Sequence, residues 1–176
     1  MALGTESPMR DKGPAIINWD PSGDNLDIYP TNGAINFKTE LNVEDINEDG
    51  HGNAPVDSVD MGRIITIEAD FTRLTLELLE TVIHGSTAGV NNLKVPNKVG
   101  NAFYANAKQL IIKPLSDGNL ISADTSEWIY VFKAYPVEAI ELLYSKGDQR
   151  IFHVVFKVYP DDTSGNWGQL YRIGPA

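Results

Sequence analysis

Strict alternation of apolar and polar residues is the sequence feature that most limits how this chain can fold. In the segment 62–71, for example, Ile65 and Ile67 alternate with Thr66 and Glu68. Successive side chains of a β-strand point to opposite faces, so a period of two predicts a strand with one face in a core. The pattern recurs along the chain, which predicts a protein built mainly from sheet.

Eight segments have strand character and are separated by residues that favour turns. In chain order they are Ala15–Trp19, Gly33–Leu41, Gly62–Phe71, Lys108–Leu115, Trp128–Ala134, Val137–Tyr144, Arg150–Tyr159 and Gln169–Ile173. The Asp-Pro-Ser-Gly sequence at 20–23 closes the first of them as a turn. The segment 128–132 is apolar on both faces, which indicates a strand that is covered on both sides.

One segment has a different period. Residues 74–84 place their leucines, valine and isoleucine at helical spacing, which predicts a helix over about 72–84. Asp70 or Thr72 is the expected N-cap, and Gly85 is the expected left-handed stop. The sequence therefore predicts a mainly β fold: a β-sandwich or β-barrel of about eight strands with one flanking α-helix and long loops.

The length of 176 residues suits a single domain that spans residues 1–176. Residues 1–14 are polar and contain two glycines and two prolines, so we expect a flexible N-terminal arm. Residues 43–60 are acidic and rich in turn-forming residues, so we expect a long acidic loop there.

The charge of this chain is concentrated in one region. Its 14 Lys and Arg against 24 Asp and Glu give a net charge of −10. Between Asp20 and Asp70 there are twelve acids and two bases, so this stretch alone carries 2 − 12 = −10 and the remainder is neutral. A strong acidic balance argues against binding nucleic acid through a broad basic patch. It is typical either of an acidic functional face or of a solvated surface.

Several kinds of chemistry are excluded or receive no support. The chain has no cysteine, which excludes disulfides, thiolate catalysis and cysteine-based metal sites. The three histidines have no second histidine at metal-ligand spacing, and no nucleophile motif occurs. Glu68 and Asp70 share a strand face but lack the aromatic surroundings of a sugar site. We therefore expect no enzymatic activity and no cofactor. No apolar run is long enough to span a membrane or to form a secretion signal.

One stretch resembles half of a calcium-binding loop. Asp45, Asn47 and Asp49 occupy positions 1, 3 and 5 of such a loop, and Gly50 occupies position 6. Position 12 should carry a bidentate carboxylate but is Val56. Turn-rich acidic sequence produces such patterns by itself, so an acidic turn is the favoured interpretation and calcium binding is the alternative.

Two parts of the chain resemble bacteriophage tail tube (major tail) proteins. The sequence FTRLTLELLE at 71–80, ending in His-Gly at 84–85, resembles the helix that follows a strand in that family, with Leu78 where the family usually has Asn. The sequences KAYP at 133–136, IEL at 140–142, QRIFHVVFKVYPD at 149–161 and LYRIG at 170–174 resemble the terminal hairpins of the family. The resemblance covers roughly residues 60–85 and 108–174.

The resemblance implies a structural virion protein that is located in the tail and assembled in the host cytoplasm. Its subunits would close into hexameric rings that stack into a tube, with a sheet from each subunit contributing to a central barrel. Its partners would be other copies of itself, the tape-measure protein, and the terminator and baseplate proteins, with no membrane contact. DNA would pass through the tube during ejection without being bound. Residues 1–14 and 43–60 would be candidates for contacts between rings.

A conduit for DNA should repel phosphates, and the acidic stretch fits that requirement. Glu40, Glu68 and Asp70 lie on the polar faces of their predicted strands, so they are the candidates for lining the lumen. Two alternatives remain open at this stage. One is a tail terminator or completion protein that forms a single ring, and the other is a calcium-dependent, adhesin-like binding module.

Overall fold

The segments with period two form strands of one antiparallel sheet. The computed structural model describes residues 13–29, 35–47, 49–51, 54–71, 75–83, 85–97, 99–100, 102–116, 120–137 and 152–175. Its strands are β1 Ala15–Trp19, β2 Leu26–Ile28, β3 Asn36–Asn47, β4 Pro55–Phe71, β5 Thr87–Ala88, β6 Leu93–Lys94, β7 Lys108–Ser116, β8 Leu120–Ile121, β9 Ile129–Pro136, β10 Phe152–Tyr159 and β11 Tyr171–Ile173. The helix is α1 Leu76–Val82, and three short 3₁₀ turns lie at Asp49–His51, Tyr104–Asn106 and Thr125–Glu127.

The main sheet has nine strands, seven of which follow the order β2-β1-β7-β9-β10-β4-β3. Strand β11 pairs with the first half of β9, and β8 pairs with the end of β7. Strands β5 and β6 form a separate small hairpin. The sheet does not close into a barrel, so β2 and β3 are its two edges.

The sheet curves around its core. The rings of Trp19 in β1 and Phe156 in β10 are 5.2 Å apart, although β7 and β9 lie between these two strands. Flat strands in these positions would be about 14 Å apart, so the sheet bends until their inner faces meet. The predicted inner face of β4 is confirmed, since Ile65, Ile67 and Phe71 are fully or almost fully buried.

The helix closes one side of this core and is shorter than predicted. Thr75 caps it, since its Oγ1 accepts a hydrogen bond from the backbone N–H of Leu78 at 3.2 Å. The expected N-cap Asp70 instead lies inside β4, because the strand continues to Phe71. Leu78 and Val82 are the buried residues of the helix. The other expected N-cap, Thr72, and the helix end at His84 lie outside the described residues.

The predicted fold class is confirmed: the described part of the chain is mainly β with one α-helix. Strand β1 has the predicted bounds, and Gly85 has the expected left-handed backbone with φ 68°. The turn after β1 is also confirmed, since the Gly23 N–H donates to the Asp20 carbonyl at 2.9 Å. Of the expected N-terminal arm, residues 1–12 lie outside the described part of the chain, as do residues 138–144 of the predicted strand 137–144.

The expected loop at 43–60 is wrong. Residues 43–47 belong to β3 and residues 55–60 belong to β4, which pair as one long hairpin with a short connection around 49–51. Strand β4 has 17 residues and therefore spans about 55 Å, which is well beyond the usual strand length. Backbone pairing of β3 with β4 forms this hairpin, although no apolar alternation marks residues 43–47 and 55–60.

Candidate functional surfaces

The outer face of the sheet gathers the three predicted lumen residues. Glu68 and Asp70 alternate with the buried residues of β4 and therefore point away from the core. Glu40 in β3 lies opposite Ile64 of β4 in the register, on that same outer face. The structure thus brings all three carboxylates onto one surface at the β3 edge of the sheet. Whether this surface lines a lumen stays a prediction.

Each of these carboxylates has a polar partner on a neighbouring strand or on its own. The Asn36 side-chain amide donates to Glu68 Oε2 at 3.1 Å, and His153 Nδ1 lies 2.8 Å from Asp70 Oδ1. Glu40 forms an ion pair with Lys38 two residues earlier. The hydrogen bond from Lys38 to Glu40 raises the pKa of the Lys38 ammonium above its ordinary value.

The outer face therefore has mixed charge and is not uniformly acidic. Lys157 of β10 lies opposite Thr66 of β4, which places a second lysine on this face. The alternation in each strand predicts which side chains point outward. This alternation does not predict that β10 lies beside β4. The two strands are separated by 80 residues of sequence, and local sequence patterns do not determine which distant strands pair. The sequence therefore gave no sign of the contact between His153 and Asp70.

The far part of the β3–β4 hairpin projects away from the core. We call residues 41–47 and 55–62 the distal hairpin; every one of them is exposed. Seven residues of strand extend about 20 Å, so this element reaches well beyond the packed body of the sheet. The register shifts between Leu41 and Val43, opposite Gly62, whose φ of 102° favours glycine. Such a bulge bends and twists a hairpin.

The distal hairpin combines apolar and acidic side chains. Residues 41–62 contain six acids and neither lysine nor arginine. Glu44 lies opposite Val59, and Ile46 lies opposite Asp57, so these four residues share one face. Its large exposed apolar side chains are Leu41, Val43, Ile46, Val56, Val59 and Met61. Contiguous apolar side chains on a surface are typical of sites that contact another molecule.

The calcium candidates lie at the end of this hairpin. Asp45 and Asn47 are strand residues of β3, and Asp49 begins the 3₁₀ turn. Asp45 Oδ1 accepts a hydrogen bond from the Ser58 hydroxyl at 2.7 Å across the hairpin. In the part of the chain that the structure describes, no group of three or more acidic or histidine side chains could hold a metal. Calcium binding stays the alternative prediction, without support from this geometry.

A cleft of about 600 Å³ lies between α1 and the turn after β1. Its wall includes Asp20 and Asp24 from the turn, Glu77 and Glu80 from the helix, and Lys108. The side chain of Asp20 is only 8% exposed and lies 3.0 Å from Lys108 Nζ. This ion pair neutralises a buried carboxylate and therefore has a structural explanation. The cleft is not predictable from local sequence, because its walls come from four separate segments of the chain.

The loop at 160–170 is attached to β9 by hydrogen bonds and an ion pair. The Asp161 carboxylate accepts hydrogen bonds from the backbone N–H and the hydroxyl of Thr163 at 3.1 and 2.8 Å. Lys133 Nζ lies 2.7 Å from Asp162 Oδ1 and 2.9 Å from the Tyr104 hydroxyl. These hydrogen bonds raise the pKa of Lys133 to about 12 and lower that of Asp162. The loop presents Trp167, which is 79% exposed.

Comparisons with known proteins extend this description. No family model and no curated protein matches the sequence. Among solved structures, the fold is similar to that of a chain in the cryo-EM structure of the anti-feeding prophage (AFP) baseplate, 6-fold symmetrised. The TM-score is 0.53 at 12% identity, over 86% of this chain and 92% of that one. A chain from the crystal structure of Hcp protein aligns over 82% of this chain and 88% of its own, at 10% identity and a TM-score of 0.36.

The likeness to the baseplate chain concerns the fold, and it runs along most of both chains. The score for Hcp is too low to add to this conclusion. None of the helices in the described part of the chain is long and apolar enough to cross a membrane.

Proposed function

We propose that this chain is a structural subunit of a phage-type tail. In this proposal it forms hexameric rings that stack into a tube, and it has no enzymatic activity. The observation that carries the proposal is the similarity of its whole fold to that of a chain in a baseplate with six-fold symmetry. The sequence resemblance to tail tube proteins at the helix and the terminal hairpins points to the same class.

The open sheet supports self-assembly. Among the strands that the structure describes, β3 pairs only with β4, so one side of its twelve residues has no strand partner, and β2 forms the opposite edge of the sheet. An open edge of this length favours pairing with another chain. Pairing between subunits would join their sheets into one continuous surface, with the outer faces directed toward a common axis.

The outer face fits a conduit through which DNA slides. Glu40, Glu68 and Asp70 would repel phosphates at short range. Lys38 is paired with Glu40, and His153 lies within hydrogen-bond distance of Asp70, so both side chains are already engaged by carboxylates. A surface of unpaired lysines would instead bind DNA and hold it. The tape-measure protein, the terminator and the baseplate would be the partners of such a tube.

Electron microscopy of the purified protein tests this proposal. Stacking of rings requires different contacts on the two ring faces, so concentrated protein should form open-ended tubes with six subunits per ring. Closed single rings at every concentration would instead identify a terminator or completion protein. A monomer that stays monomeric at millimolar concentration would overturn the proposal.

A further inference from the structure

The distal hairpin needs a partner that this chain's own core does not provide. All its described residues are exposed, and it combines four acids with exposed aliphatic side chains and no positive charge. A surface that binds it should therefore be apolar and basic. The chain itself contains a segment of that composition.

Residues 85–100 have this composition, and we call them the basic segment. It contains two lysines and no acid, and the wider stretch 82–116 also contains no acid. The structure describes residues 85–97 and 99–100, which include the small β5–β6 hairpin beside α1. Val90 is 95% exposed, Val99 is 91% exposed and Val95 is 59% exposed. Lys94 stands directly before Val95 at the end of β6.

From this match we infer that the distal hairpin of one copy docks on the basic segment of the next copy. The inference rests on the proposed function and deepens it, since it names the surface that receives the projecting element. Glu44 and Asp57 would face Lys94, while Ile46 and Val59 would pack against Val90 and Val95. The two surfaces differ, so the contact is heterologous and propagates from copy to copy.

Cysteine cross-linking tests the contact directly, because the chain has no cysteine of its own. Val59→Cys and Val95→Cys variants of the full chain are mixed, assembled and treated with a short bis-maleimide. We expect a covalent dimer from the mixture and little from either variant alone. Leu120→Cys is the matched control, since Leu120 is 67% exposed on β8, outside both surfaces. Equal cross-linking of Val59→Cys to Leu120→Cys and to Val95→Cys would overturn the inference.

Charge reversal provides a second, independent test by sedimentation. Asp57→Lys alone and Lys94→Glu alone should each weaken assembly at least tenfold, and the combined variant should recover much of the loss. Salt should weaken the wild-type assembly, because it screens exposed charges. Circular dichroism verifies that each variant folds. Tubes that form normally with both single reversals would overturn the docking inference and leave the tail tube proposal standing. Failure of the wild-type protein to assemble at all would overturn both.

Discussion

Gly23 is required by the side chain of Asp20. A Cβ atom at position 23 would lie 2.8 Å from Cγ of Asp20 and closer still to Oδ2. Asp20 cannot move away easily, because it is buried and paired with Lys108. The glycine therefore leaves room for a carboxylate that holds the turn after β1.

The variant Gly23→Ala should consequently destabilise the protein by about 1–3 kcal/mol, as overpacking of a fixed site does. Urea denaturation monitored by circular dichroism measures the change in unfolding free energy. Gly50→Ala is the matched control, since a Cβ at that position meets nothing within 4 Å. Equal midpoints for the two variants would contradict this explanation of Gly23.

The individual residues also mark where prediction from the sequence ends. The burial of Ile65, Ile67 and Phe156 follows from alternation alone, and the structure confirms it. The contact of His153 with Asp70 depends on β10 lying beside β4, which is a long-range pairing. The sequence shows that the acids are concentrated in one region. The mixed charge of the outer face becomes visible only from the pairing register of β3, β4 and β10.

Among the elements, the 160–170 loop depends on Lys133 of β9 for its attachment. Asp162 has a lowered pKa, so its stabilising charge is present above its ordinary value of 3.8 and is lost as pH falls through the lower value in the folded state. Lys133 has a raised pKa, so its contribution is complete below 10.5 and is lost as pH rises through about 12.

Lys133→Met should therefore lower Tm most strongly near neutral pH. The difference in Tm from the wild type should shrink on acidification below 3.8 and again toward strongly alkaline pH. Thermal denaturation at a series of pH values measures this profile. Lys157→Met, on the exposed face of β10, serves as the control. A difference in Tm that does not vary with pH would show that the loop is held by packing alone.

The distal hairpin is separable from the fold, because none of its residues is buried. Replacing residues 42–62 by an Asn-Gly turn should leave the Tm close to that of the wild type and abolish assembly, as measured by sedimentation. The register supports this design, since Leu41 pairs with Arg63 at the cut. A large loss of Tm would mean that the hairpin stabilises the sheet after all.

The exposure of the distal hairpin also explains why residues 43–60 were wrongly predicted to form a loop. Alternation appears in a strand when one face is buried, and both faces of the distal hairpin are exposed. Aspartate, asparagine and glycine disfavour strands in general, so the segment has the composition of a loop. Strand β2 was not predicted for a different reason, since its three residues are too few to show an alternation of apolar and polar side chains.

For the whole molecule, the proposed conduit depends on the sign of the charge on the outer face. Replacing Glu40, Glu68 and Asp70 together by lysine should leave the fold largely intact, because all three side chains are at least partly exposed. Particles assembled from this variant should deliver DNA poorly, since the lining would now attract phosphates.

Delivery of DNA by such particles is the measurement, after circular dichroism has confirmed folding. Lysine at Asp24, Glu77 and Glu80 gives the same change in net charge on a different surface, in the cleft, and should leave delivery unchanged. Normal delivery by the outer-face variant would count against the lining hypothesis.

For the molecule as a whole, the sequence predicted the class of fold well and the arrangement of its strands poorly. Local periodicity identifies strands and the helix, whereas their order in the sheet is set by long-range packing. The curvature that brings Trp19 against Phe156 likewise arises from the twist of the whole sheet.

The open edge at β3 has a consequence for the free subunit before any assembly. Four charged side chains, Lys38, Glu40, Glu44 and Asp45, lie along this strand, and three of them are negative. Two copies that met edge to edge would bring these carboxylates together, and this repulsion discourages random aggregation. A strand edge with fewer acidic side chains would not be repelled by β3 in this way. The same charge that keeps newly made subunits dispersed can thus make them selective about how they join.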